Sequence, residues 1–286
     1  MDGSNKDEED LDDDVPEQDF SNDPEMVLVT SNGYQYYLHG YLKANLDYIK
    51  TDVTRRNFDS IILVVGREGY GKSTIAMQMA LYLDPTFTVD RVVFTAEQFM
   101  DAVRAAKPYT SVVFDETMGF LSSRGAMSKF NRDLIKIMSE MRSKNLYVFL
   151  CIPSLFIMDW YPAEHRTTGM IYVYKRGFFG SYDYPTKKKC YVLGKKTRDY
   201  TVAPNFIGRY TKAFPINKEV YEKKKQEAIN SWNAVKDDER KYKSKLDKLC
   251  THLLMTNTMG ITDLASVTGI KEESLLKLVK KEKTDE

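Results

Sequence analysis

Cysteine is scarce in this chain. Cys151, Cys190 and Cys250 lie far apart among 286 residues, without the paired spacing of a disulfide framework or a metal-ligand set. They read as reduced core residues of an intracellular protein. Long apolar runs are also missing: the longest, Leu146 to Ile152, suits a buried strand and falls short of the roughly 18–20 residues that span a bilayer. The N-terminus is acidic rather than basic and apolar, unlike a secretory signal peptide, so the expected location is cytoplasmic. Net charge is nearly absent, at +1, yet this sum hides an asymmetry. Residues 1–25 carry twelve acidic residues against Lys6 alone, a balance of −11, which leaves +12 on the rest of the chain. So basic a body suits a polyanionic partner. The acidic arm either competes for the same surface or serves as a solubilising tail.

What is present centres on IILVVGREGYGKST, Ile61 to Thr74. An apolar run from Ile61 to Val65 stops at Gly66, and Gly66-x4-Gly71-Lys72-Ser73 leads into TIAMQMALYL, whose apolar positions suit a helix. This is the Walker A pattern in its required setting. A strand that turns at glycine into a helix aligns backbone N–H groups and the positive end of the helix dipole toward phosphate. The candidate phosphate-binding residues are Gly66, Arg67, Glu68, Gly69, Tyr70, Gly71, Lys72, Ser73 and Thr74. Lys72 supplies a charge for the β and γ phosphates, and Ser73 places a hydroxyl where Mg2+ would sit.

Further along, SVVFDET runs an apolar triplet into Asp115-Glu116 at a strand end, the Walker B arrangement. Asp115 is the candidate metal residue, acting through the water shell of Mg2+. Glu116 is the candidate general base that takes a proton from the attacking water. A nucleotide kinase needs no such base, whereas a hydrolase that drives motion does. No guanine-reading Asn-Lys-x-Asp element is visible, so ATP is the expected nucleotide.

The remainder divides as follows. Residues 1–25 form a disordered acidic tail, and 26–235 an ATPase domain. Its early tyrosines, Tyr34, Tyr36, Tyr37, Tyr41 and Tyr48, either stack on bases or pack on a core, and LHGYLKANLDYIKT reads as helix. Thr95 and Gln98 form a capping box. Gly119–Ser128 is a mobile loop by composition, and the apolar spacing from Met127 to Met141 predicts an amphipathic helix over 127–144. Residues 170–196 alternate aromatic and basic side chains and predict a basic β-hairpin, which suits either a nucleic-acid backbone or a sheet edge defended by lysines. From Asn217 a long charged helix runs to Val235. Residues 236–245 are predicted to be a charged linker, and 246–286 a helix-turn-helix with its turn at Gly269-Ile270. Glu272 and Glu273 repel phosphate, so that unit reads either DNA or a protein partner.

GREGYGKST, the DRVVF segment after Asp84, SVVFDET, RSKNLYVFLCIPS and the EHR turn together resemble the phosphate-loop ATPases of viruses, phages and plasmids. These are grouped loosely with the HerA/FtsK translocases and the zonular-occludens-toxin-like proteins. The resemblance covers about Asn57 to Trp232. It implies a RecA-like α/β core with a mainly parallel sheet, followed by the small all-α unit. By the same resemblance, Lys72 contacts phosphates, Ser73 and Asp115 hold Mg2+, and Glu116 activates water. It also implies a ring-like homo-oligomer in which an arginine serves a neighbour's γ-phosphate, with Arg166 the first candidate and Arg142 the second. Where a glutamine commonly ends the translocases' fourth strand, this chain has Ile152-Pro153-Ser154, and Ser154 is the substitute candidate for sensing γ-phosphate. Unlike the toxin-like assembly proteins the chain shows no transmembrane segment, so export through a membrane fits poorly. The expected function is ATP hydrolysis acting on double-stranded DNA, as a packaging or translocation motor in the host cytoplasm. The alternatives are an ATP-switched segregation or regulatory protein that binds DNA and, further off, a small-molecule kinase.

Overall fold

Apolar side chains at every position of Ile61–Val65 require burial on both faces, which only a central strand of a layered sheet provides. A computed structural model describes residues 20–115 and 124–285, so Glu116, most of the acidic tail and the first half of the 119–128 loop lie outside the described residues. Two compact units are present, Met1–Ala228 and Ile229–Glu286.

The first unit opens with a hairpin, β1 (Met26–Ser31) and β2 (Tyr34–His39), followed by α1 (Gly40–Arg56). Its turn is Asn32-Gly33, both with positive φ, the pairing that matches strand twist in a two-residue hairpin. The central strand β3 (Ser60–Gly66) leads to α2 (Lys72–Leu83). Then come β4 (Val92–Val93), α3 (Ala96–Ala105), β5 (Ser111–Asp115), α4 (Arg124–Glu140), β6 (Tyr147–Ile152), β7 (Gly169–Lys175), β8 (Phe178–Tyr182), α5 (Tyr184–Gly194) and β9 (Phe206–Arg209). The seven-stranded sheet has the order β4-β5-β6-β3-β7-β8-β9. Strands β4, β5, β6, β3 and β7 run parallel, and β8 and β9 close the edge antiparallel. This is a mixed α/β fold with a mostly parallel central sheet, compatible with a Rossmann- or RecA-like core.

Alternate residues of β3 serve opposite layers. Ile62 and Val64 join a core with α1, α2 and β2, whereas Ile61, Leu63 and Val65 pack with α3, α4 and α5. The amphipathic pattern of α4 is seen as predicted, with Phe130, Leu134, Ile137 and Met138 buried. Thr95 caps α3 by accepting from the Gln98 amide, and the Gln98 side chain returns to the Phe94 amide. Of the early tyrosines, Tyr36 is buried and donates to the Gln78 carbonyl, while Tyr41 and Tyr48 stay exposed.

Four predicted segments differ: Arg124 to Ser128 of the expected loop open α4, Phe20 and Asp23 of the expected disordered tail are buried and paired with Arg209 respectively, and two more follow. The basic hairpin ends at Tyr182, and residues 184–194 are the helix α5. Asp183 caps that helix by accepting from the Thr186 amide and Pro185 occupies its first turn, a helix-start signature stronger than the aromatic-basic alternation around it. Residues 236–245, expected as a charged linker, are helical: α6 runs unbroken from Lys218 to Met255, and the division between units falls after Ala228. This stretch contains neither Gly nor Pro, and its Lys, Arg and Glu are good helix formers.

In the second unit the last turns of α6 pack with α7 (Ile261–Thr268) and α8 (Glu272–Asp285) around Cys250, Leu264 and Leu275. Gly269, at φ 69°, caps α7 by donating to the Ala265 carbonyl. All three cysteines are buried and free. No helix among the described residues is long and apolar enough to cross a membrane.

Candidate phosphate and metal site

The loop Gly66–Gly71 leaves the C-terminal edge of the sheet between β3 and α2. Gly66, Gly69 and Gly71 have φ of 146°, 77° and 91°, in the region that favours glycine. At Gly66 a Cβ would lie 2.2 Å from the Val173 carbonyl oxygen, so β7 closes off any side chain there. Arg67, Glu68 and Gly69 are exposed, and Tyr70 through Thr74 are half-buried. The Lys72 ammonium folds back over the loop and donates to the carbonyls of Gly66 and Arg67, both at 2.8 Å. Burial pushes its pKa below the usual lysine value; Asp115 and Glu68 oppose that shift, and the charge of Lys225 adds to it.

One residue into α2, the Ser73 hydroxyl donates to Oδ1 of Asp115 at 2.8 Å. Asp115 ends β5, which is separated from β3 by β6, so two sequence motifs meet only because β6 pairs with both strands. Asp115 is buried, and its Oδ2 accepts a hydrogen bond from the Tyr221 hydroxyl. Burial and the neighbouring carboxylate raise the Tyr221 pKa strongly, which keeps the phenol a donor. One carboxylate and one hydroxyl fit Mg2+ better than an all-protein cage would, since Mg2+ retains several waters and takes substrate phosphates as ligands.

Three further side chains, to which the sequence gives no part in this site, hold this edge. Arg176, in the β7–β8 turn, donates through Nε and Nη2 to the Gly69 carbonyl at 3.1 and 3.0 Å. Tyr210, just after β9, donates to the Tyr70 carbonyl at 2.6 Å. Tyr221 reaches Asp115 from the second turn of α6. They stand more than a hundred positions from their partners, so no local spacing reveals them.

Neither a protein-family model nor a curated protein matches this chain. The chemistry of the site rests on its geometry.

The other candidates are placed as follows. Ser154, just past β6, is half-buried and caps the next turn by accepting from the Phe156 amide at 3.2 Å. Ile152 pairs with Val65, so Ser154 lies on the same sheet edge as the glycine-rich loop. Arg166 is engaged within its own chain. It donates to Asp59 at 2.8 Å and to the Met138 carbonyl at 2.7 Å, beside the start of β3. Its charge neutralises a buried carboxylate at the sheet edge opposite the loop. Arg142 is exposed in the turn after α4 and also lies toward the N-terminal edge of β6. Within the expected basic hairpin, Lys187 is fully buried and donates to the carbonyl and hydroxyl of Thr167, so it is no nucleic-acid contact. A cavity of about 790 Å³ opens between α1 and the β7–β8 edge, lined by residues such as Leu46, Ile62 and Phe206, and it includes none of the loop residues.

Proposed function

We propose that this chain is a Mg2+-dependent ATPase with a RecA-like phosphate-loop core that acts on double-stranded DNA, most concretely as a ring-forming motor that packages or translocates a viral or plasmid genome. One observation carries the catalytic half: Lys72, Ser73 and Asp115 meet at a glycine-lined turn on the C-terminal edge of a parallel sheet, with the Ser73–Asp115 pair already at 2.8 Å. Ligands of open α/β sheets bind at that edge.

In this reading ATP lays its β and γ phosphates against the loop amides and the start of α2. Lys72 exchanges the Gly66 and Arg67 carbonyls for phosphate oxygens. Ser73 and, through water, Asp115 would hold Mg2+, which would supply charge neutralisation at the phosphates. Glu116, next to Asp115, orients water in line with the γ-phosphate and accepts its proton. DNA as the partner is supported by the +12 balance beyond residue 25 and by α7–Gly269–α8 as a helix-turn-helix. The engagement of Arg166 with Asp59 favours a second reading, an ATP-switched DNA-binding protein with slow turnover, and leaves Arg142 as the candidate trans arginine.

ATP turnover measured with and without double-stranded DNA separates these readings. The motor predicts stimulation by DNA and near-complete loss of turnover in Lys72→Ala and Glu116→Gln. A rate indifferent to DNA would sink the motor and leave the switch, and a rate unchanged by Glu116→Gln would remove the general base.

A further inference from the structure

The first turns of α6 bring a second lysine to the candidate phosphate site. Asn217 caps this helix by accepting from the Val220 amide at 3.0 Å. The Lys224 ammonium then ties the helix to the start of β4 and the turn before it, donating to the carbonyls of Val89 and Val92 at 3.0 and 2.8 Å. So anchored, α6 points Tyr221 and Lys225, one turn apart, at the glycine-rich loop. Tyr221 is 2% exposed, wedged between Phe94 and Phe214, with its hydroxyl on Asp115. The Lys225 ammonium lies 3.5 Å from that hydroxyl and 5.6 Å above the ring. Through that hydroxyl it stands one hydrogen bond away from the Asp115 carboxylate.

Two ammonium groups therefore flank the site, Lys72 on the loop carbonyls and Lys225 on the hydroxyl that bonds Asp115. Asp115 is already bonded through both oxygens, to Ser73 and to Tyr221, so it neutralises only part of the charge from Lys72 and Lys225. Such a site gains most from a ligand whose negative charge is concentrated near the metal position, and a nucleoside triphosphate carries more charge there than a diphosphate.

We propose that Lys225 is a second phosphate-binding lysine that discriminates nucleoside triphosphate from diphosphate, and that Tyr221 is a positioning residue that orients Asp115. Both assignments rest on the site being the phosphate site argued above. Lys225 approaches from α6 and donates hydrogen bonds to the terminal phosphate. Tyr221 fixes Oδ2 and leaves Oδ1 to the Ser73–metal side.

The test uses the full chain, a fluorescent nonhydrolysable ATP analogue and fluorescent ADP, each titrated with Mg2+ present. Lys225→Met is expected to weaken the triphosphate analogue about tenfold while changing ADP less than about threefold, and Lys225→Arg to restore most of the difference. Tyr221→Phe is expected to raise the Mg2+ concentration for half-maximal analogue binding several-fold, with unfolding temperatures used to verify the fold. Equal weakening of both nucleotides by Lys225→Met, or none, would overturn the Lys225 assignment. An unchanged Mg2+ midpoint in Tyr221→Phe would overturn the positioning role. Lys72→Ala is the control that separates the layers. If it abolishes binding while the α6 variants behave as wild type, only this inference falls; if it too leaves binding intact, the phosphate site falls with it.

Discussion

A methyl group on Gly66 would sit 2.2 Å from the Val173 carbonyl oxygen, at a φ of 146° that side chains rarely adopt. Neither strand can yield, because β3 and β7 are hydrogen-bonded neighbours in the sheet. Gly66→Ala is accordingly expected to cost about 3 kcal/mol or more, read as a lower urea midpoint for the first unit. Arg166 makes a different demand. Its partner Asp59 is almost wholly enclosed, with a side chain 1% exposed, and Oδ1 has no hydrogen-bond partner among the described residues. Arg166→Ala strands that carboxylate and should destabilise the fold by about 3–5 kcal/mol. A trans arginine would instead lose turnover at unchanged stability, so the unfolding midpoint and the ATPase rate of this variant, measured together, separate the two roles.

Helix α5 carries its own titration. Burial lowers the Lys187 pKa to about 7, partly offset by Glu164, while Lys188 adds to the lowering. In the unfolded chain it returns to the ordinary lysine value of 10.5. Between these values the unfolded state binds the extra proton, so stability rises with pH from about 7 toward 10.5; below 7 both states are protonated and the penalty is fully present. The unfolding temperature of wild type should rise between pH 7 and 9 relative to Lys187→Met, whose curve lacks this contribution. Identical slopes would mean that Lys187 is solvated in the native state. The same helix shows why composition misleads. Aromatic and basic residues interleave from Met170 to Lys196, yet the cap Asp183 with Pro185 starts a helix, and a buried lysine faces Thr167 rather than a phosphate backbone. The β1–β2 hairpin carries its signal in Asn32-Gly33, which the tyrosine-rich composition around it obscured.

At the scale of the whole molecule, charge and division matter most. The second unit has its own small core of Cys250, Leu264 and Leu275. Deleting residues 246–286 removes that core and leaves Tyr221 and Lys225 in the first unit. If the second unit reads DNA, the deletion should lower DNA affinity at matched salt while nucleotide binding persists. Unchanged DNA affinity would assign the unit to a protein partner.

Short-range features were legible because their causes are local. Apolar positions at every residue of Ile61–Val65 demand a doubly covered strand, glycines at 66 and 71 permit the turn, and a three-to-four spacing of apolar residues lays out α4. Uninterrupted helix across 236–245 follows from propensity, once charge is not mistaken for disorder. The pairing of Ser73 with Asp115 was foreshadowed by two motifs but made by strand order, since β6 must intervene to set β5 at the right distance. The contacts of Arg176, Tyr210 and Tyr221 left no mark in the sequence, because hydrogen bonds across a hundred or more residues have no period to detect, and Lys225 is placed by Tyr221 one turn before it. The fate of Arg166 was likewise decided by packing: a buried Asp59 holds a charge that an exposed-looking Glu-His-Arg turn had offered to a neighbour.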